Sequence, residues 1–226
     1  MKESAARAPS TTAWEAAYAR FETPEEEVRK FERRLRALGA DGWQKSDRAV
    51  ELFCGRGSGL HALHRLGFMR IAGVDLSPAL LERYRGEDPL IAADCRQLPL
   101  ASESCDLAIV QGGLHHLPEL PADLERSLAE VHRVLRPGAR LVVVEPWLTP
   151  FLRIVHAVAT RRVVRRLWGK IDALATMIEN ERETYERWLA APAMVDRAVE
   201  RWFDVDQRSA RWGKLMLVGR RRETTS

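Results

Sequence analysis

The chain has 226 residues, 46% hydrophobic and 30% charged, with a net charge of +4 at pH 7. That balance describes a globular chain of ordinary domain size, and so mild a charge permits an anionic partner without demanding one. No apolar run approaches the roughly eighteen residues that a membrane span needs, and Cys54, Cys95 and Cys105 are too few and too scattered for a disulfide framework or a zinc site.

The first stretch, MKESAARAPSTTAWEAAYARFE, lacks the apolar core of a secretory signal, so a reducing cytoplasm is the expected setting. A helical pattern runs from Trp14 to Leu38, with Val28, Phe31, Leu35 and Leu38 at helical spacing; Pro24 and the glutamates after it suit a first turn. After a loop at 39–47, short apolar runs alternate with helical segments. The pattern predicts a strand at 49–53, a helix at 58–66 closed by Gly67, and a strand at 71–76. A helix at 77–86 follows, with Ser77 as N-cap and Pro78 at its first position. Strands at 89–94 and 105–112, a helix at 120–135, and a turn feeding a strand that ends at 146 complete the alternation. Such alternation means βαβ units and a parallel sheet covered on both faces. Runs such as LVVVE fit strands buried on both sides. Past Pro150 the alternation stops. Residues 151–200 read as helical, basic and tryptophan-bearing, and 201–209 with 213–221 as a closing strand pair.

The stretch VELFCGRGSGLHALHRLG (50–67) crowds Gly55, Gly57 and Gly59 between a strand and a helix. A glycine-rich turn at the carboxyl end of a strand lets backbone N–H groups approach a ligand, with a helix N-terminus behind it. The dinucleotide fingerprint G-x-G-x-x-G fails here, because Leu60 stands where the third glycine belongs. Glu51, four residues before Gly55, would repel a pyrophosphate but suits an ammonium or sulfonium group.

An acid followed by spaced glycines resembles motif I of the class I S-adenosylmethionine-dependent methyltransferases. Glu51 stands where aspartate is commoner, and Phe53 where that family often has glycine. GVDLS, AADCRQLPL, SCDLAIVQGGLHHL and EVHRVLRPGARLVVVEP resemble the motifs that follow, in the right order over roughly residues 45–146. GLHHLPE and RVLRPGA point to the small-molecule branch similar to ubiquinone- and menaquinone-pathway methyltransferases. The resemblance implies an α/β, Rossmann-like doubly wound, mostly parallel seven-stranded sheet with helices on both faces. An N-terminal helix and a helical insert before the last two strands would complete it. The implied organisation is a tail and lid helix at 1–44, a cofactor-binding core at 45–150, an acceptor lid at 151–200 and a closing strand pair at 201–226. The implied cofactor is S-adenosylmethionine. Glu51, Phe53, Gly55, Arg56 and Gly57 would form its loop, Asp75 would take the ribose hydroxyls, and Leu76 would pack on the adenine. Asp94 and the Cys95 backbone would meet the adenine edge, Gln111 and Gly112 the methionine end, and Tyr18 would lie on the lid helix beside Trp14. No metal ligands are expected.

Methyl transfer is an in-line displacement, so the protein must mainly align donor and nucleophile. A hydroxyl or ammonium acceptor also needs a base. His115 and His116 lie just past the fourth strand and suit that task, or else cap the following turn and pack on the sheet. Glu145, at the end of the fifth strand, reads equally as a base, a substrate ligand or a solvated carboxylate. In the insert, Phe151, Ile154, Val155 and Val158 make one apolar stripe, and Val163, Val164, Leu167 and Ile171 another, with a break expected near 160–162. Arg161, Arg162, Arg165, Arg166 and Lys170 form a basic face that is solvated, meets an anionic membrane, or clamps an acidic substrate. Trp147, Trp168 and Trp188 line an acceptor pocket or anchor the core. The expected partner is a small-molecule acceptor, with no nucleic acid and with either a monomeric or a homodimeric state. The rivals are an RNA methyltransferase, a non-catalytic cofactor-binding regulator and a nicotinamide dehydrogenase. The first is disfavoured because QGGLHH replaces the Asn/Asp-Pro-Pro-aromatic motif used on base amino groups.

Overall fold

A computed structural model describes residues 21–159 and 168–222. Its seven strands are β1 (Arg48–Leu52), β2 (Arg70–Asp75), β3 (Leu90–Ala92), β4 (Cys105–Gln111), β5 (Leu135–Pro146), β6 (Phe203–Arg211) and β7 (Lys214–Arg221). They form one sheet in the order β3-β2-β1-β4-β5-β7-β6. The first five are parallel, and β7 is antiparallel to both of its neighbours. The helices are α1 (Pro24–Ala37), α2 (Ser58–Arg65), α3 (Pro78–Leu81), α4 (Ala122–Val134), α5 (Pro150–Ala159), α6 (Gly169–Asn180), α7 (Arg182–Ala190) and α8 (Pro192–Trp202).

The central strands bury both faces, as their continuous apolar runs require. Val50, Leu52, Ala108, Val110, Leu141 and Val143 pack with α4, α7 and α8 on one side. Ala49, Leu107, Ile109, Val142 and Val144 pack with Leu35 of α1 and Leu60 and Leu63 of α2 on the other. α1 starts where its sequence says it should: Thr23 and Glu26 form a reciprocal capping box and Pro24 occupies the first turn. Residues 14–20, expected in the same helix, lie outside the described residues, as do Tyr18 and Trp14.

Three elements differ from expectation. α3 ends at Leu81 rather than at residue 86, because Tyr84 turns inward, becomes buried, and donates its hydroxyl to Asp88. Strand β3 stops at Ala92, two residues short of Asp94. The RPGA segment is a bulge inside β5, where the pairing with β4 shifts register between Cys105 and Leu107. The insert break at 160–162 and Arg161, Arg162, Arg165 and Arg166 fall outside the described residues. Lys170, which is described, is exposed and faces Glu26 of α1 at 3.6 Å, so the start of α6 lies beside the start of α1.

Candidate functional site

The strand order reverses between β1 and β4, and in an open parallel sheet the crevice outside the carboxyl ends at that reversal takes the ligand. The loop that follows β1 is built from left-handed backbone: Phe53 (φ 56°), Gly55 (φ 53°) and Gly57 (φ 81°). For phenylalanine this conformation costs roughly 1–2 kcal/mol. The ring is accommodated because residue 113 is glycine; a Cβ there would stand 2.2 Å from it. Gly57 is similarly closed in by the ring of Tyr84, also at 2.2 Å. At the end of β2, Asp75 ties the loop down. Its Oδ2 accepts from the Gly55 N–H and its Oδ1 from the Ser77 N–H, both at 2.8 Å. Leu76 beside it is 68% exposed, an apolar side chain standing open at the ligand edge.

Glu51 lies beneath the loop, buried against the backbone of α2. A Cβ on Gly59 would fall 1.8 Å from its Oε1. Its Oε2 has no hydrogen-bond partner, and neither polar atom of the buried Gln111 at the end of β4 has one. Burial foremost, and then the neighbouring Glu27 and Asp75 carboxylates, push the Glu51 pKa up to about 8; the nearby Gln111 amide opposes the rise from outside hydrogen-bond geometry. Burial, Glu51 and Asp75 hold the Cys54 thiol well above its usual range, so it is a packed side chain rather than a nucleophile.

Arg56 points back to α1. Its Nη2 donates to Glu27 Oε2 at 2.9 Å, and the Ser58 hydroxyl donates to the same oxygen at 2.6 Å. The buried Glu27 therefore fastens the N-terminal helix to the glycine loop. Asp94 stands apart. Both of its oxygens accept from Arg96, which also reaches Asp123 at 2.9 Å, and Arg96 holds the Asp94 carboxyl below the usual range. Cys95 is buried against the Ser127 hydroxyl.

Past β4, the turn 114–116 is anchored by Glu145. This carboxylate is fully buried, accepts from the Gly113 and Leu114 N–H groups at 2.8 Å each through Oε1, and accepts from His115 Nδ1 at 2.7 Å through Oε2. Both oxygens are engaged, which leaves Glu145 as an anchor. His115 and His116 stack at 4.0 Å between ring centroids. Glu181, between α6 and α7, faces both: 3.9 Å to His115 Nε2 and 3.6 Å to His116 Nδ1. Burial, and then the neighbouring His115, lower the His116 pKa well below 6.5. Tyr185 of α7 meets the His115 ring edge-on at 6.0 Å and shares a 3.1 Å hydrogen bond with His156 of α5. The insert thus closes over the histidine turn. Trp188 is wholly buried, donates to the Pro146 carbonyl and packs edge-on against Trp147, so both are core anchors, whereas Trp168 is exposed.

Glu27, Gly113, Glu181, Tyr185 and His156 escaped the sequence reading. Glu27 carried a usable signal: it lies four and eight residues before Phe31 and Leu35, on the buried stripe of α1, where an acid needs a partner. Glu181, Tyr185 and His156 carried none, since only tertiary packing brings them to the turn. A cavity of about 730 Å³ opens at the opposite, amino ends of the strands, among Arg48, Arg70 and Asp88, away from the glycine loop and the histidine turn.

Strand order, acid-and-glycine loop and β2 carboxylate together define the class I methyltransferase fold. Residues 50–143 match the methyltransferase domain family. Through that segment, which holds the glycine loop, the β2 carboxylate and the histidine turn, the chain is similar to methyltransferases. It is 37% identical over 113 residues to a ubiquinone/menaquinone biosynthesis C-methyltransferase of Syntrophotalea carbinolica, covering 45% of each chain. It is 36% identical over 157 residues to a demethylmenaquinone methyltransferase of Mycobacterium sp. (strain KMS), covering 66% of each. The chain thus spans about half to two thirds of the length of these relatives. Among solved structures, an S-adenosylmethionine-dependent methyltransferase of Mesorhizobium loti superposes with a TM-score of 0.57 at 24% identity, over 82% of this chain and 96% of that one. The PH0226 protein of Pyrococcus horikoshii superposes with a TM-score of 0.65 at 17% identity, over 90% and 96%.

Proposed function

We propose that this protein transfers a methyl group from S-adenosylmethionine to a small, largely apolar acceptor held between the histidine turn and the helical insert. The observation that carries the reading is the set of orphaned polar atoms at the carboxyl ends of β1 and β4: Glu51 Oε2 and both polar atoms of Gln111. A buried unpartnered carboxylate and amide are costly in a finished fold. They fit an amino-acid moiety, whose ammonium suits Glu51 and whose carboxylate suits the Gln111 N–H. Asp75 would add a ribose contact and Leu76 an apolar surface for the base. Asp94 would reach an adenine amino group only by giving up part of its Arg96 pairing.

The bound donor supplies a methyl group on a positively charged sulfur. This chain's own contribution is alignment: the glycine loop and Gln111 fix one partner, the 113–116 turn and the insert the other. Alignment of this kind can supply about 7–11 kcal/mol. Glu145 fixes the His115 ring, and His116, uncharged at neutral pH and about a third exposed, is the more accessible of the two to an acceptor hydroxyl, although its lowered pKa makes it a weak base. The quinone-pathway names of the relatives and the exposed apolar Phe151 and Ile154 of α5 support a hydrophobic, oxygen-bearing acceptor such as a phenol or naphthol. Three free, buried cysteines suit a reducing compartment, and no helix among the described residues is long and apolar enough to cross a membrane. Incubation with methyl-labelled donor and a panel of phenols, naphthols and a lipid extract tests the reading. Labelled, extractable product supports it, and label confined to RNA or to no acceptor counts against it.

A further inference from the structure

We propose that His115, His116 and Glu181 form a binding site for one divalent transition-metal ion of the zinc class. The proposal is tested without the methyl donor, although an ion bound to the His116 nitrogen would leave that residue unable to take a proton from an acceptor. One ligand atom from each residue lies within 4.8 Å of the other two. A point inside such a triangle is within about 3 Å of all three, so small rotations bring them to the roughly 2.0–2.2 Å of zinc–nitrogen and zinc–oxygen bonds.

The orientation argues more strongly than the proximity. Glu145 is an acceptor only, so His115 Nδ1 must donate to it across their 2.7 Å contact. That leaves the ring's lone pair on Nε2, and Glu181 Oε2 sits 3.9 Å from that nitrogen, too far for a hydrogen bond and with room for an ion. A carboxylate on one ring nitrogen and a lone pair on the other is the arrangement by which a supporting carboxylate fixes a metal-bound histidine. Glu145 in turn is held by the Gly113 and Leu114 N–H groups, so the support is itself rigid. Two nitrogens and one oxygen suit zinc, cobalt or nickel better than magnesium or calcium. Entry is open, because about a third of the His116 side chain is exposed. An ion here would clamp the α6–α7 junction to the turn after β4 and leave a coordination position for water or an acceptor oxygen.

The test uses tag-free full-length protein, stripped with chelator and titrated with Zn²⁺ by calorimetry and with Co²⁺ by absorption. One Zn²⁺ per chain at micromolar or tighter affinity is expected. Cobalt d–d bands should appear without a thiolate charge-transfer band, which separates this site from the three cysteines. Glu181→Gln and His116→Asn should each weaken binding at least about tenfold, with melting curves confirming that both variants fold. Substoichiometric binding, a thiolate band, or unchanged affinity in the two folded variants would overturn the proposal. Because none of these readouts uses the methyl donor, failure here leaves the proposed function standing, and the reverse also holds.

Discussion

At pH 7 the carboxyl of Glu51 carries its proton, because burial and the carboxylates of Glu27 and Asp75 push its pKa to about 8. An ammonium placed against the orphaned Oε2 reverses that preference, so donor binding should expel the proton. With a pKa near 8, about 0.9 of the sites are protonated at pH 7, and the wild type should release about 0.9 proton more than Glu51→Gln, which has none to lose. Taking the difference cancels the titration of the donor's own α-amino group, whose pKa lies near 8. Ionising the acid at pH 7 costs about 1.4 kcal/mol, one pKa unit. The charge-assisted bond returns about 1.5–3 kcal/mol. Glu51→Gln should therefore weaken binding by no more than about 2 kcal/mol, while abolishing the proton release. Calorimetry of S-adenosylmethionine binding in phosphate and in Tris, whose ionisation heats differ, reads the proton count directly. Equal release by wild type and Glu51→Gln would refute the placement of the ammonium. The same acid has a stability consequence in the ligand-free protein. Its folded pKa lies above its unfolded value of 4.5, so the fold holds a proton that the unfolded chain has lost, and stability falls as pH rises from about 4.5 through 8. Glu51→Gln should flatten that slope in thermal melts.

Asp75→Ala strands the Gly55 and Ser77 N–H groups, and should weaken donor binding by about 1.5–3 kcal/mol in a folded protein; unchanged affinity by calorimetry would count against the loop's role. Gly113→Ala forces a Cβ to 2.2 Å from the Phe53 ring and should destabilise the fold by about 1–3 kcal/mol, with a double change to Phe53→Gly recovering most of the loss in denaturant melts. Glu27→Ala unfastens Arg56 and Ser58, and should raise hydrogen exchange across 53–60 while leaving the sheet protected. If His116 takes a proton from a hydroxyl acceptor, His116→Ala should cut turnover and remove the acid limb of the kcat profile without changing donor affinity.

The parallel core was legible because its signals are local. Apolar runs bounded by glycine and proline marked β1, β2, β4 and β5, and Gly55 and Gly57 sit in the left-handed backbone that only their spacing suggested. Asp75 was legible for the same reason, as an acid at the end of a strand. Glu145 could be placed at the sheet's ligand edge but its role could not, since its three partners depend on how the chain folds back after β4. Asp94 looked equivalent to Asp75; only the fold shows Arg96 claiming both of its oxygens. The length of α3 was misread because Tyr84 follows a helical period but gains more by packing on Gly57. Glu181, Tyr185 and His156 come from separate turns of the insert, and no periodicity links them to His115.

The most direct measurement is equilibrium titration of the purified protein with S-adenosylhomocysteine and, separately, with NAD. One site per chain at micromolar affinity for the former and no detectable binding of the latter is the result expected of a crevice with Glu51 at its amino-acid end. Binding of NAD, or of neither nucleoside, would contradict it.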